Sequence, residues 1–562
     1  MSALQPLANI ASQGLVAIEG PLWLIFLASL VPVLRAAVRS IRAAGQGRAL
    51  AIVLTVALGL RLVVPWEPIY WHYPLMNLDL GGAALYTRQN SYLPLLLRWL
   101  VFDLHGGFDA ALAFNLIAGV ISIPLLWYAA LRGGHSPRVC ALFGSLLAIT
   151  PMYVRHAASD SVYTPILLLY AACAASYAGL ACGEQRRAGT ALLLSSILLG
   201  MPIRAEAAWV FLGVPLFRLH EGVRLRELAR PLRPLLVLAG AGAIGSLAIL
   251  NLQSQSFGER LFIQPDWIVL GIIAMVSCVP EPAVPSFFPA LIAVPIWLTA
   301  IEQIRLRRWH DLLSMYLPIW FSRVPHLFGC AFMVGGLATT GYHIISVLFI
   351  LLASARSLEQ LYLRHLRGEF LVDARRRRAV LAAAGAAMVL LCVHAYAYRY
   401  VEGQEMRFLR RELPRDDSTV LVIWDPDPSP GDDCCLSLPY PPLWAQLPRT
   451  RWIVLTLADL DRSDYVRNLR FDYYYPGSTL QLEDSTTWFA SPDDAPDERL
   501  SHQRDGLRRL RELDALVRRE HALEPWRRTT VTAHTPSFAH FKDDRVTFTI
   551  DRRLQQAASA AQ

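Results

Sequence analysis

Apolar runs recur along this chain from Leu22 to about Tyr396. Several, among them Ala110–Leu131 and Val162–Cys182, have the length that crosses a bilayer core of ~30 Å. Such runs cannot be packed side by side in a water-soluble core of ordinary composition. The whole sequence agrees: of 562 residues, 54% are hydrophobic and only 17% charged. The fold class expected is mainly α, a polytopic helical membrane bundle of about eleven to thirteen spans. From Val401 onward the character changes to dense charge, turns and short alternating strands. Two domains are therefore expected: residues 1–400 in the membrane and residues 401–562 as a small extracytoplasmic α/β domain.

Arginine sets the sides. The net charge is +8, but it is unevenly divided: residues 1–403 hold 31 Arg against 19 acids, whereas residues 404–562 hold 22 Lys+Arg against 26 acids. The surplus sits in alternate loops, at Arg35–Arg48, Arg132–Arg138, Arg186–Arg187, Arg218–Arg233, Arg305–Arg308 and Arg356–Arg378. Basic loops of this kind stay in the cytoplasm, so the surplus reports orientation and not nucleic-acid binding. The chain then reads as a multi-pass protein of the cell inner membrane. Its loops around 65–109 and 155–161, and everything after Tyr400, lie on the periplasmic side. Between Gln264 and Ile301 the count conflicts, and Trp267–Val279 is expected to re-enter without crossing or to lie along the interface. Eight cysteines are scattered with no metal spacing. The N-terminus lacks a basic n-region and an A-x-A site, so no cleaved signal peptide is expected.

The outer segments carry the polar chemistry. "PWEPIYWHYPLMNLDLGGAALY" (65–86) brings Glu67 and Asp79 among Trp66, Tyr70, Trp71 and Tyr73. "PMYVRHAASDSVY" (151–163) brings Arg155, His156 and Asp160, and "PIRAEAAW" (202–209) brings Arg204 and Glu206. "FSRVPHLF" and "TTGYHII" add Arg323, His326, Tyr342 and His343. Ionisable groups at membrane depth are costly and usually face a cavity or one another. A guanidinium is permanently charged and forked, which suits a phosphate. A carboxylate suits a general base or a metal ligand. Together they point to chemistry on a lipid-borne phosphate. Plainer readings exist for each. Glu67 serves equally as an interfacial carboxylate, the four rings as an aromatic belt, and Arg61, Arg155 and Arg204 as snorkelling or structurally paired side chains. Asp79 is singled out by its apolar neighbours Leu78 and Leu80 and by Gly81-Gly82, which let a substrate approach the backbone closely.

The order of these segments resembles that of a known family. It runs "LRL" (60–62), an acid-bearing outer loop, "NSYLPLLLRWLVFDLHGGFDAALAFNLIAG", "ITPMYVRHAASDSVYTPILLLY", "GMPIRAEAAWVF" and finally "GYHIISVLFILLA". It is similar to the membrane-embedded GT-C glycosyltransferases, in the branch of protein O-mannosyltransferases and lipid A aminoarabinose transferases, over about residues 49–355. The resemblance implies a helical fold with an outward cavity. It implies transfer of a sugar from a polyprenyl-phosphate carrier to an envelope glycan, lipid or protein. Asp79 then matches the first-loop acid, the base, and Asp160 the second-loop acid, with Glu67 held as a further catalytic candidate. Arg155, His156, Arg204, Glu206, Tyr342 and His343 are the substrate-binding candidates. No cofactor is implied; a divalent cation is the one that the carboxylates leave room for, and no metal ligand set is assigned. The family's paired first-loop acids are replaced here by Asp79-Leu80, and its "RY" by Gly341-Tyr342. The alternative reading is a non-catalytic flippase or transporter for a lipid-linked glycan, although no paired half-repeat of the transporter kind is visible.

In the C-terminal part, "RFLRREL" (407–413) reads as a short helix and 497–523 as an amphipathic one. "TVLVIW", "RWIVLTL", "TTVTAH" and "RVTFTI" read as strands. "RFDYYYPGSTLQLE" (470–483) reads as a hairpin turning at Pro476-Gly477. The acid-rich loop "WDPDPSPGDDCC" (424–435) reads as solvated, with a metal site as the lesser alternative.

Overall fold

The computed structural model describes residues 5–64, 107–159, 163–203, 205–220, 223, 225–228, 230–252, 288–327, 344–367, 401–414, 417–423, 450–477, 498–536 and 541–554, with the isolated positions 96, 100 and 382. The chain divides into two compact units. The first contains Met1–Trp66, Gly82–Trp99 and Leu112–Ala397, the second Glu67–Gly81, Leu100–Ala111 and Tyr398–Gln562.

The first unit is all helix among the described residues. Its principal helices are α1 (Gln5–Ala43), α2 (Gly47–Val63), α3 (Gly107–Arg132), α4 (Pro137–Ile149), α5 (Pro151–Ala157), α6 (Tyr163–Ala181), α7 (Arg186–Gly200), α8 (Ala205–Leu212), α9 (Leu232–Leu252), α10 (Phe288–Arg305), α11 (Trp309–Leu327) and α12 (Ile344–Leu366). Among the described residues three stretches are long and apolar enough to cross a membrane: Ala17–Ala43, Ala110–Arg132 and Tyr163–Ala181. The bent pair α4–α5 makes a fourth if taken as one span. At 1.5 Å per residue, α2 with 17 residues and α7 with 15 stop short of a ~30 Å core. Other apolar runs of the sequence, Trp267–Val279 and most of Val380–Tyr396 among them, lie outside the described residues. α6 sits at the centre, and 18 of its 19 residues are buried. Such all-round apolarity is what a helix surrounded by other helices requires.

The α4–α5 bend follows from one dipeptide. Ser136 caps α4 by accepting from the Val139 N–H at 3.1 Å, and Pro137 opens the first turn. The helix stops at Thr150, which adopts φ −63°, ψ 123°. Pro151 dictates this stop: its ring disfavours the helical conformation of the residue before it, and it has no N–H to give. Pro151 is then a good first residue for α5, which leaves at 55° to α4.

The second unit is a five-stranded sheet in the order β2-β1-β3-β5-β4, with β1 Thr419–Ile423, β2 Arg451–Leu455, β3 Tyr473–Tyr475, β4 Leu523–Pro536 and β5 Phe541–Arg553. β1 pairs in parallel with both β2 and β3, β5 runs antiparallel to β3, and β4–β5 is a long hairpin. Side chains alternate across the sheet. Val420, Val422 and Tyr475 meet Phe408, Leu409 and Leu413 of helix α13 (Val401–Glu412) and the residue after it on one face. Leu421, Ile423 and Tyr474 meet Val466 of α14 (Ser463–Asn468) and Leu513, Leu516 and Val517 of α15 (Glu498–Glu520) on the other. A polar network ties α15 down. The Tyr474 hydroxyl donates to Asp514 at 2.6 Å, and Arg518 bridges Asp514 and Asp551 at 3.0 and 2.7 Å.

The two helices and four of the strands follow the sequence reading. Of the hairpin read over 470–483, the first arm contains β3, which pairs with β1 on one side and β5 on the other, and residues 478–483 lie outside the described residues. Gly477 does turn the chain, with φ +88°.

Candidate functional site

The helical unit has two unlike ends, and side-chain contacts between helices assign each element to one of them. At the first end, Arg132 of α3 reaches Ser40 of α1 at 3.0 Å and Glu184 at 2.6 Å. Tyr128 donates to the other oxygen of Glu184 at 2.7 Å. Gln46 accepts from Trp127 at 2.9 Å and donates to the Pro137 carbonyl. Ser136 donates to Glu359 of α12 at 2.6 Å, and Arg364 of α12 pairs with Glu302 of α10. Arg356 donates to the Ser314 hydroxyl and carbonyl of α11 at 3.1 and 3.3 Å. Arg356 also donates to the Leu219 carbonyl, so the first four arginine-rich connections, and those of α10 and α12, meet at one end, as charge counting along the sequence requires. Arg35, Arg39, Arg42, Arg48, Arg138, Arg186, Arg187 and Arg233 are exposed there.

The second end is reached by running α2 and α12 to their other termini and α4 on through α5. Arg61 lies in the last turn of α2 and is 1% exposed. Its guanidinium donates to the carbonyls of Ala57 at 3.0 Å and Ala148 at 3.3 Å. Ala148 is in the last turn of α4, where the break at Thr150 leaves carbonyls without helical partners. Arg61 is thus a clamp on the broken span, and the snorkelling alternative does not hold for it. The partial negative charge at a helix C-terminus favours a cation in this place. Gly119 of α3 makes the approach possible: a Cβ there would lie 2.7 Å from the Ala157 Cβ and 3.3 Å from the Arg61 Nε. Val64 packs on Val154 and Ala158 and closes the contact between the end of α2 and α5.

α5 is then fixed from three directions. Asn115 of α3 donates to the Ser159 carbonyl at 2.8 Å, and Ser159 donates to the His156 carbonyl at 3.0 Å. The His156 ring lies edge-on to Tyr163 at 5.6 Å and has no exposed surface. Tyr153 donates to the Ile344 carbonyl at the start of α12 at 2.6 Å. Arg155, on the same short helix, is half-buried. Nearby in the sequence order, Trp209 of α8 stacks on Phe321 of α11 at 4.6 Å and donates to its carbonyl at 2.6 Å. Arg323 on α11 is fully buried.

Of the residues singled out from sequence, Arg155 and His156 are therefore placed together, on α5. His156 packs inside and holds α5, while Arg155 keeps accessible surface. Glu206 lies in α8, and nothing is described of its side chain. Glu67, Asp79, Asp160, Arg204, Tyr342 and His343 lie outside the described residues, as do His326's side chain, the acidic loop 424–435 and the aromatic residues of 65–86. Among the described residues no group of three His, Cys, Asp or Glu side chains is arranged to hold a metal ion. The sequence leaves Arg61 open, with Arg155 and Arg204, as a ligand contact or a structural side chain, and does not single out Asn115 or Gly119. The one sequence signal was an arginine with no acid near it inside an apolar run.

No family model and no curated protein sequence matches the chain. Solved structures match it at low identity. An oligosaccharyltransferase of Archaeoglobus fulgidus, in complex with Zn and sulfate, is 12% identical over 78% of this chain and 69% of that one, with a TM-score of 0.41. The same organism's oligosaccharyltransferase tethered to an acceptor peptide is 11% identical over 83% of this chain and 71% of that one, with a TM-score of 0.40.

Proposed function

We propose that this protein is a membrane glycosyltransferase of the GT-C type that moves a sugar from a polyprenyl-phosphate carrier to an acceptor at the outer face of the membrane. The observation that carries the reading is the interrupted span α4–α5, with Arg155 on its short outer helix and the clamp of Arg61, Asn115 and Gly119 behind it. Broken helices at membrane depth are tolerated where they line a cavity or are buried in protein. The acids of the resemblance, Asp79 and Asp160, follow α2 and α5 in the sequence.

The reaction is an inverting displacement. Asp79 takes the proton of an acceptor hydroxyl, whose oxygen forms a bond to the anomeric carbon. The bond from that carbon to the phosphate oxygen breaks, and its electron pair leaves with the polyprenyl phosphate. Arg155 and Arg204 face the charge that grows on the leaving phosphate, an electrostatic role that needs no covalent step. Holding a lipid-borne donor and a second substrate at one mouth supplies proximity. Glu206, Tyr342 and His343 are assigned to the walls of that mouth.

The test is an assay with purified protein, a polyprenyl-phosphate sugar and an envelope fraction. Release of free polyprenyl phosphate with sugar joined to an acceptor is expected. Translocation of the intact lipid with no release is the outcome of the flippase reading and would overturn this one.

A further inference from the structure

The arginine-rich end has a corner that the proposed chemistry leaves unused. α1, α7 and α9 pack on one another. The Gln185 amide donates to the Pro32 carbonyl of α1 at 3.2 Å, and Arg233 of α9 reaches the Thr190 hydroxyl of α7 at 3.5 Å. The last turns of α1 bring Arg35 and Arg39 to this corner, the first turn of α7 brings Arg186 and Arg187, and the first turn of α9 brings Arg233. All five are exposed. Among the described residues none of them forms an ion pair. The acid nearest in sequence, Glu184, is already committed to Arg132 and Tyr128.

This arrangement is unfavourable as it stands. The start of a helix carries partial positive charge and disfavours cations. Yet α7 and α9 both have arginine and no acid in the first turn, and the Gln185 side chain does not cap α7. Local rules broken in this way mark sites where something else compensates. A second observation says what. One turn along α1 from Arg35 stands Val31, two turns along α7 from Arg187 stands Leu194, and one turn along α9 from Arg233 stands Leu236. These are 48%, 39% and 62% exposed. A soluble polyanion would meet only the arginines, whereas an amphiphile satisfies both surfaces.

We propose that this corner binds an anionic phospholipid, its phosphate among the five arginines and its acyl chains along Val31, Leu194 and Leu236. Guanidinium forks suit the phosphate, and the apolar stripe suits the chains.

The test uses the full-length protein in detergent and reads thermal stability against added phosphatidylglycerol, phosphatidylcholine or inorganic phosphate. Phosphatidylglycerol is expected to raise the melting temperature beyond the other two. The Arg186→Gln/Arg187→Gln/Arg233→Gln variant is expected to lose that increment and keep the response to phosphatidylcholine. Arg305→Gln/Arg307→Gln/Arg308→Gln removes as many charges elsewhere at the same end and is expected to keep the increment. If the first triple variant does not fold, Arg186→Gln and Arg187→Gln singly carry the test by the same reading. An increment unchanged in the corner variants, one equally lost in both triple variants, or one reproduced in full by inorganic phosphate overturns the proposal.

Discussion

The two ends of the helical unit treat charge in opposite ways. At the arginine-rich end, acids and arginines of different helices pair with each other at the surface, as Arg132 does with Glu184 and Arg364 with Glu302, and the surplus is left exposed. At the other end, among the described residues, Arg61 is buried and donates to backbone carbonyls, and α5 is held by hydrogen bonds to peptide groups. The first arrangement joins helices that are continuous. The second exists because a helix is interrupted. A broken span exposes carbonyls that hydrocarbon cannot satisfy, and a buried guanidinium is one of the few groups able to do so. The side chains that close the break are therefore the ones that fix a short helix, with Arg155 on it, at this end of the bundle.

Substitutions can break this contrast, and their effects should fall in a definite order. The largest is expected at Asp79. Asp79→Asn keeps the shape and removes the proposed base, so transfer should fall roughly 10²–10⁴-fold. Donor binding should survive, because the carboxylate is not what holds the phosphate. Normal turnover in this variant, with loss in Glu67→Gln or Asp160→Asn instead, moves the base to that other acid.

Arg61→Leu comes next. It leaves the Ala148 carbonyl buried without its guanidinium donor, at a cost of about 1–3 kcal/mol. Thermal unfolding of the purified protein should show the loss, and activity should fall with it because α5 loses its clamp. An Arg61→Leu protein as stable as wild type would mean that the break needs no clamp.

Glu184→Gln should matter less. The pair with Arg132 is about one-third exposed on both sides, and pairs of this kind contribute at most about 1 kcal/mol. A small drop in melting temperature with unchanged transfer is expected. A large loss of activity would show that the arginine-rich end takes part in the chemistry.

The smallest effect lies in the second unit. His521 is 4% exposed and donates to the Val466 carbonyl at 2.8 Å. Burial holds its pKa below the ordinary 6.5, and the carbonyl only partly offsets this. The unfolded chain therefore takes up a proton as the pH falls through about 6.5 while the folded ring stays neutral, so stability drops with falling pH. Hydrogen exchange around Val466, corrected for the intrinsic rate, should lose protection between pH 7.5 and 5.5 in wild type. In His521→Gln it should not.

Much of this was legible in the sequence, for reasons that differ by element. Apolar length gives the helices, because hydrocarbon leaves the backbone no other partner. The break was not read: Val139–Val154 forms one apolar run in sequence, although Pro151 constrains the residue before it. The strands of the second unit show because β-branched residues alternate between turn residues. The role of Arg61 was not legible: its partner Ala148 lies far along the chain, and nothing in "LRL" distinguishes a clamp from a snorkelling side chain. Gly119 was missed for the same reason, since only the approach of Ala157 makes its missing Cβ matter. The pairing of β3 was not legible either, since its partners β1 and β5 lie more than 45 residues away on either side. Of the candidate site, the sequence brought out Arg155 and His156 as a pair but could not tell that one faces out and the other packs inside.

The account turns on which side of the membrane each end faces. The most direct measurement places a reporter that folds only in the cytoplasm at two positions: inserted at Gly45, the turn between α1 and α2 at the arginine-rich end, and fused after Gln562. Gly45 has φ +76° and open space around it, so an insertion there disturbs little. Activity at Gly45 and silence after Gln562 is the predicted result. Silence at Gly45 with activity after Gln562 would turn the bundle over, put Arg155 and the acid-bearing loops in the cytoplasm, and contradict transfer at the outer face.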